Sequence, residues 1–158
     1  MVVYSNQMDI EQRFALAVIR FIRSFGLHKP DQTPCGIHMG VAEAHALSEI
    51  SNGTLRQMDL AEKLNLSKST VSRLVDVMAG RDLVRRQPAP DDGRGVVLLL
   101  TANGLDVASR LERARANRLS ALLHAVPADR RDDVIEVLTL MEEAARASDP
   151  RFAAEPRK

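Results

Sequence analysis

The sequence predicts a mainly α-helical fold with one small β-hairpin, and three observations carry that expectation. Apolar residues recur at helical spacing along most of the chain, with capping and breaking residues where each run begins and ends. One stretch, residues 83–100, instead holds two β-prone runs on either side of a turn rich in Pro, Asp and Gly. With 158 residues, 45% of them hydrophobic, and no long apolar run, the chain is sized for one soluble domain rather than a membrane protein or an enzyme with a separate catalytic domain.

Asp9 stands as a cap before Ile10, Phe14, Val18, Phe21 and Phe25, whose spacing puts one apolar stripe on a helix ending near Gly26. The stretch from His28 to Pro34, with two prolines and an aspartate, reads as a loop. A second helix is expected from about Ile37 to Ser51, stopped by Asn52 and Gly53. Thr54 and Gln57 have the spacing of a capping box, which predicts a short third helix over 55–64. After a tight connection, Ser67 is placed to cap a fourth helix that runs to about Gly80. Residues 83–87 and 96–100 are the two strands, joined by a turn over 88–95. The second strand is apolar throughout, which leaves Val97 and Leu99 without evident burial. Thr101 can cap a long helix reaching about Val126, Pro127 breaks it, and a last helix over 128–148 carries Val134, Leu138, Met141 and Ala145. The tail, residues 149–158, combines two prolines with alternating charge and little apolar content, and is expected to be disordered.

The fourth helix speaks about function. Val71, Leu74, Val75 and Met78 give it one buried face, leaving Ser69, Ser72, Arg73 and Asp76 on the other. Short serines let a helix backbone approach the floor of a DNA major groove, while an arginine reaches guanine or phosphate. Two short helices joined by a three-residue turn, the second polar on its free side, form a helix-turn-helix, although any amphipathic surface helix also has a polar face. The hairpin decides between these readings, because a hairpin attached to that helix pair is a wing. Its tip holds Arg94 between Gly93 and Gly95, and an arginine offered there suits the electronegative minor groove. The net charge is only +1, so binding must come from placement of basic residues and not from bulk charge.

The run LAEKLNLSKSTVSRLVDVM, followed by DLVRRQPAPDDGRGVVLLLTANG, resembles the helix-turn-helix and wing of the MarR (multiple antibiotic resistance regulator) family. The likeness includes Asp92 and Arg94 in the wing and the Leu100, Thr101 and Gly104 pattern at its exit, and it covers roughly residues 54–104. It implies a winged helix-turn-helix flanked by dimerisation helices. It also implies a homodimer on a pseudo-palindromic double-stranded DNA operator, often a repressor released by a small aromatic or phenolic effector. Ser67, Lys68, Ser69, Thr70, Ser72 and Arg73 then open the recognition helix, Arg86 joins them from the first wing strand, Arg94 is the minor-groove arginine and Asp92 orients it. Gly93 stands where the family commonly has a second basic residue, which leaves minor-groove contact to one arginine.

The expected organisation is a single domain over 1–148, with the DNA reader at about 54–101 and dimerisation helices at about 9–26 and 102–148. The reader needs none of those flanking helices for its own core, so their apolar faces call for a second surface; an intrachain bundle is the plain alternative. No phosphate loop, HExxH or nucleophile elbow occurs, so an enzyme is not expected, nor is a cofactor. His28, Cys35, His38 and His45 crowd eighteen positions, but their spacing fits no fixed zinc motif. A metal- or redox-responsive regulator built on these four residues is an alternative, as is a constitutive DNA-binding architectural protein. Arg20, Arg23, His28, His38 and His45 are the candidate lining of an effector pocket. The first residues lack the basic start and apolar stretch of a secretory signal, which, with a single cysteine, leads to a cytoplasmic expectation.

Overall fold

A computed structural model describes residues 8–89 and 95–149. The turn at the wing tip, with Asp92 and Arg94, and the tail beyond residue 149 lie outside the described residues. The chain divides between Asn117 and Arg118 into two compact units.

In the first unit, α1 (Ile10–Phe25) begins as its sequence implies, with the Asp9 carboxylate accepting from the Gln12 amide at 2.8 Å. It ends at Gly26, which adopts φ 93°, a left-handed conformation that favours glycine. None of its residues is buried; Ile10, Phe14 and Phe21 remain 72, 56 and 46% exposed, and Phe21 stacks on Phe25 with ring centroids 5.5 Å apart.

The second helix, α2 (Val41–Ser51), starts four residues later than its periodicity suggests. Residues before it are committed elsewhere. The buried Thr33 hydroxyl accepts from the Ile37 amide at 3.0 Å, the Thr33 amide donates to the Ile37 carbonyl at 2.9 Å, and Gly36 takes φ 90° to close the loop. Once Ile37 has spent both backbone groups on Thr33, the helix begins only after Gly40.

A second departure lies at Thr54. The capping box over Thr54 and Gln57 is not formed: residues 55–56 are a short strand, β1 (Leu55–Arg56), and α3 (Gln57–Leu64) starts after it without a side-chain cap. Leu55 pairs with Leu98 and packs against the core, so cross-strand burial outweighs the local capping signal. The sheet therefore has three antiparallel strands in the order β1, β3, β2, with β2 (Val84–Pro88) and β3 (Val96–Leu100) forming the expected hairpin.

The third strand also settles Val97, which is buried at 6% exposure, contrary to its expected lack of burial. Its direct partners across the sheet are Arg56 and Gln87, which share its face and flank it with long side chains. Leu99, on the same face, is half-buried.

The core lies where α2, α3, α4 (Lys68–Gly80), the sheet and the first half of α5 (Ala102–Ala125) meet, and it centres on Leu47, Leu60, Val71, Val75, Met78, Leu98 and Leu111, so that α5, expected to stand outside the reader's core, supplies Ala108 and Leu111 to it. The junction of wing and α5 is unusually close. Thr101 Oγ1 donates to the Asp82 carbonyl at 2.6 Å and accepts from the Gly104 amide at 2.9 Å, while the Thr101 amide donates to the Leu83 carbonyl. A β-carbon at Gly104 would stand 1.9 Å from the Leu83 carbonyl oxygen, so only glycine lets α5 pack this tightly on the chain entering the wing.

The second unit holds the end of α5, a 3-10 turn (Ala128–Arg130) and α6 (Arg131–Ser148). Arg131 donates to the carbonyls of His124 and Val126, satisfying groups that the end of α5 leaves open. No residue of α6 is buried, and Ile135, Val137, Leu138 and Leu140 are each more than half exposed.

Candidate nucleic-acid interface

The interface is assembled on α4. The Ser67 hydroxyl caps it by accepting from the Thr70 amide at 3.1 Å, and lies 3.0 Å from Ser69 Oγ and 2.8 Å from Thr70 Oγ1. A cluster of three hydroxyls thus surrounds a helix N-terminus, where the partial positive charge of the helix favours phosphate. Val71, Val75 and Met78 are buried beneath, and Ser67, Lys68, Ser69, Thr70 and Arg73 are all exposed. Lys68 and Arg73 form no hydrogen bond or ion pair among the described residues, so both cations are available to an external anion. Arg85 on β2 is likewise exposed and unpaired among them, a basic residue that the sequence offered only as part of a strand.

Ser72 and Arg86 are placed differently. Ser72 is half-buried, and its carbonyl accepts from Arg86 Nη2 at 3.3 Å. Arg86 also pairs with Asp76 at 2.8 Å and donates through Nε to Gln57 Oε1 at 3.2 Å, so the wing, α3 and α4 meet at one guanidinium. Nothing in the spacing of the sequence links Arg86 to Asp76; only the fold brings them together. The turn end of the hairpin is closed by the Pro88 and Val96 pairing and by the Ala89 amide donating to the Gly95 carbonyl at 2.8 Å.

The residues expected to line an effector pocket lie on α1, on the segment between α1 and α2, and on α2. Arg20 and Arg23 are exposed on α1, His28 is exposed beyond its end, and His38 borders an open cleft of about 390 Å³ lined by Pro30, Asp31, Met39, Gly40, Glu43 and Arg81. Within that cleft Arg81 pairs with Glu43 at 2.6 Å and donates to the His38 carbonyl. His45 belongs to a separate polar seam, in which Ser48 of α2 donates to Glu112 of α5 at 2.7 Å, Glu112 pairs with Arg115, and Glu49 pairs with Lys63 of α3. Although much of His45 is open to solvent, partial loss of hydration and the Arg115 guanidinium hold its pKa below the ordinary imidazole value, with Glu49 acting in the opposite direction. The half-buried Cys35 thiol lies 3.1 Å from the Thr33 hydroxyl. Among the described residues, no three His, Cys, Asp or Glu side chains converge to hold a metal, and no helix is long and apolar enough to cross a membrane.

Comparison with known proteins agrees with this architecture. Residues 39–95 match the model of the MarR family, a span that takes in α2, α3, α4 and the first wing strand and stops before β3. An uncharacterised HTH-type transcriptional regulator of Mycobacterium leprae is 28% identical over 130 residues, covering 79% of this chain and 87% of the relative. Among solved structures, AbsC, a MarR family transcriptional regulator from Streptomyces coelicolor, superposes with a TM-score of 0.72 at 23% identity, over 89% of this chain and 97% of that one. BpsR of Bordetella bronchiseptica, whose DNA binding is regulated by 6-hydroxynicotinic acid, gives 0.65 at 17% identity, over 88% and 96%. The capped helix α4 and the first wing strand thus fall within a segment that matches the MarR family, and over most of its length the chain is similar to HTH-type transcription regulators and to the fold of MarR family structures.

Proposed function

We propose that the protein acts in the cytoplasm as a homodimeric repressor on a pseudo-palindromic operator and is released from it by a small organic effector. The observation that carries the DNA-reading part is the N-terminal half of α4, where three clustered hydroxyls, Lys68 and Arg73 face outward from a buried apolar base. Ser67, Lys68, Ser69, Thr70 and Arg73 reach bases and adjacent phosphates in the major groove, with Ser72 at the edge of the contact. Arg94, oriented by Asp92, enters the minor groove from the wing.

Dimerisation is supported by the exposed apolar residues of α1 and α6, since large aromatic and aliphatic side chains left in water call for a second copy to cover them. Effector release is supported by the regulation of BpsR by a hydroxylated aromatic acid, which favours an anionic aromatic ligand near the basic and imidazole groups of Arg20, Arg23, His28, His38 and His45. Selection of bound sequences from a random DNA pool tests the reader and the two-fold symmetry together. A recovered palindrome is expected, and a pool without a shared motif rejects sequence-specific reading. Titration of phenolic acids and, separately, Zn²⁺ against the complex then decides the effector class; indifference to both would leave a constitutive DNA binder.

A further inference from the structure

On the basis of the DNA-reading function above, we propose that Arg86 and Asp76 form a positioning pair that sets the recognition helix against the wing and so tunes base preference, and that Arg86 is not itself a phosphate contact. The register of the sheet places Arg86 opposite Leu98, on the face that also carries Val84 and Leu55, which is the face turned to the core. Its stem therefore leaves the sheet toward α3 and α4, and its side chain is 33% exposed while that of Asp76 is 62% exposed.

The guanidinium serves three partners on two other elements. Nη2 reaches Asp76 at 2.8 Å and the Ser72 carbonyl at 3.3 Å, one helical turn apart on α4, while Nε reaches Gln57 at the first residue of α3. A planar fork with fixed donor directions can hold two elements at a set angle, which a lysine ammonium cannot. Asp76 gains a second role from the pairing. It lies on the polar side of α4, where a bare carboxylate would repel the DNA backbone, and the adjacent guanidinium offsets that charge.

The two roles for Arg86 differ in the sign of what Asp76 does. If Arg86 were a phosphate contact, Asp76 would compete for it, and Asp76→Asn would tighten binding; if the pair positions the helix, Asp76→Asn weakens specific binding. The experiment measures operator and random-sequence affinity of the full chain across salt for wild type, Asp76→Asn, Arg86→Lys and Arg86→Gln. The expected result is operator affinity lowered by about five- to tenfold in every variant, with random-sequence affinity and salt slope kept, and no rescue by lysine. Tighter or unchanged operator binding by Asp76→Asn, or a salt slope flattened by about one unit in Arg86→Gln and restored in Arg86→Lys, overturns the proposal. Asp76 is exposed and outside the core, so Asp76→Asn keeps the test decisive should an Arg86 variant fail to fold. Failure of the wild type to prefer any sequence would instead strike the DNA-reading function itself, before a variant is compared.

Discussion

At the scale of single residues, Arg73 and Gly104 set a proposed DNA contact against a packing constraint. Arg73 projects from α4 with no partner among the described residues and no part in the core, so its removal should leave the fold alone. Arg73→Ala is expected to cost about 1–3 kcal/mol of operator binding if its contact to a base is bidentate, and to change the sequences recovered in selection. An unchanged motif with weaker binding would reassign Arg73 to the phosphates. Gly104 is the converse case, outside the proposed DNA contacts yet without room for a side chain. With backbone oxygen, not a flexible side chain, 1.9 Å from the added carbon, Gly104→Ala should destabilise by about 2–4 kcal/mol, measured by chemical denaturation. A variant as stable as wild type would mean that α5 can slide away from Leu83 without cost.

At the scale of elements, the seam between α2 and α5 couples the reader to the helix that leaves it. Ser48 and Glu112 join the two helices directly, and His45 lies in the same seam under the influence of Arg115 and Glu49. Its pKa is lower in the folded chain than in the unfolded one, so the unfolded state takes up the proton more readily. The imidazole is therefore without pH-linked effect well above about pH 6.5, and stability is lost as pH falls through that value toward the lower folded pKa. Comparing wild type with His45→Gln in denaturation at pH 8 and pH 5 should reveal a deficit of the wild type that grows only on the acid side. Parallel pH dependence of the two proteins would show that the ring is solvated like a free histidine.

At the scale of the molecule, the apolar residues left uncovered on α1 and α6 bear on assembly. Phe14 is 56% exposed in the single chain and belongs to no part of its buried core, so Phe14→Asp removes no core residue from it. Sedimentation at micromolar concentration is expected to find wild-type dimers and a weakened dimer in Phe14→Asp, with the variant losing affinity for a two-half-site operator. Symmetry then places the half-sites about one helical turn, roughly 10 bp, apart. A monomeric wild type that binds one half-site would rule this assembly out.

Sequence by itself determined the helical plan, the recognition helix and the hairpin, because each is written in local chemistry. Asp9, Ser67 and Thr101 cap the helices that follow them, and Gly26 and Pro127 stop the runs before them. The same local reasoning failed at Thr54 and Ile37. There the backbone groups are claimed by partners distant in the fold or in the loop, β3 in one case and Thr33 in the other. Tertiary structure alone decided the burial of Val97 between Arg56 and Gln87 and the meeting of Arg86 with Asp76, Ser72 and Gln57. Periodicity says which face of an element is apolar, but the identity of the group opposite is fixed only when a strand register and a helix crossing have been chosen, and those follow from packing over the whole core.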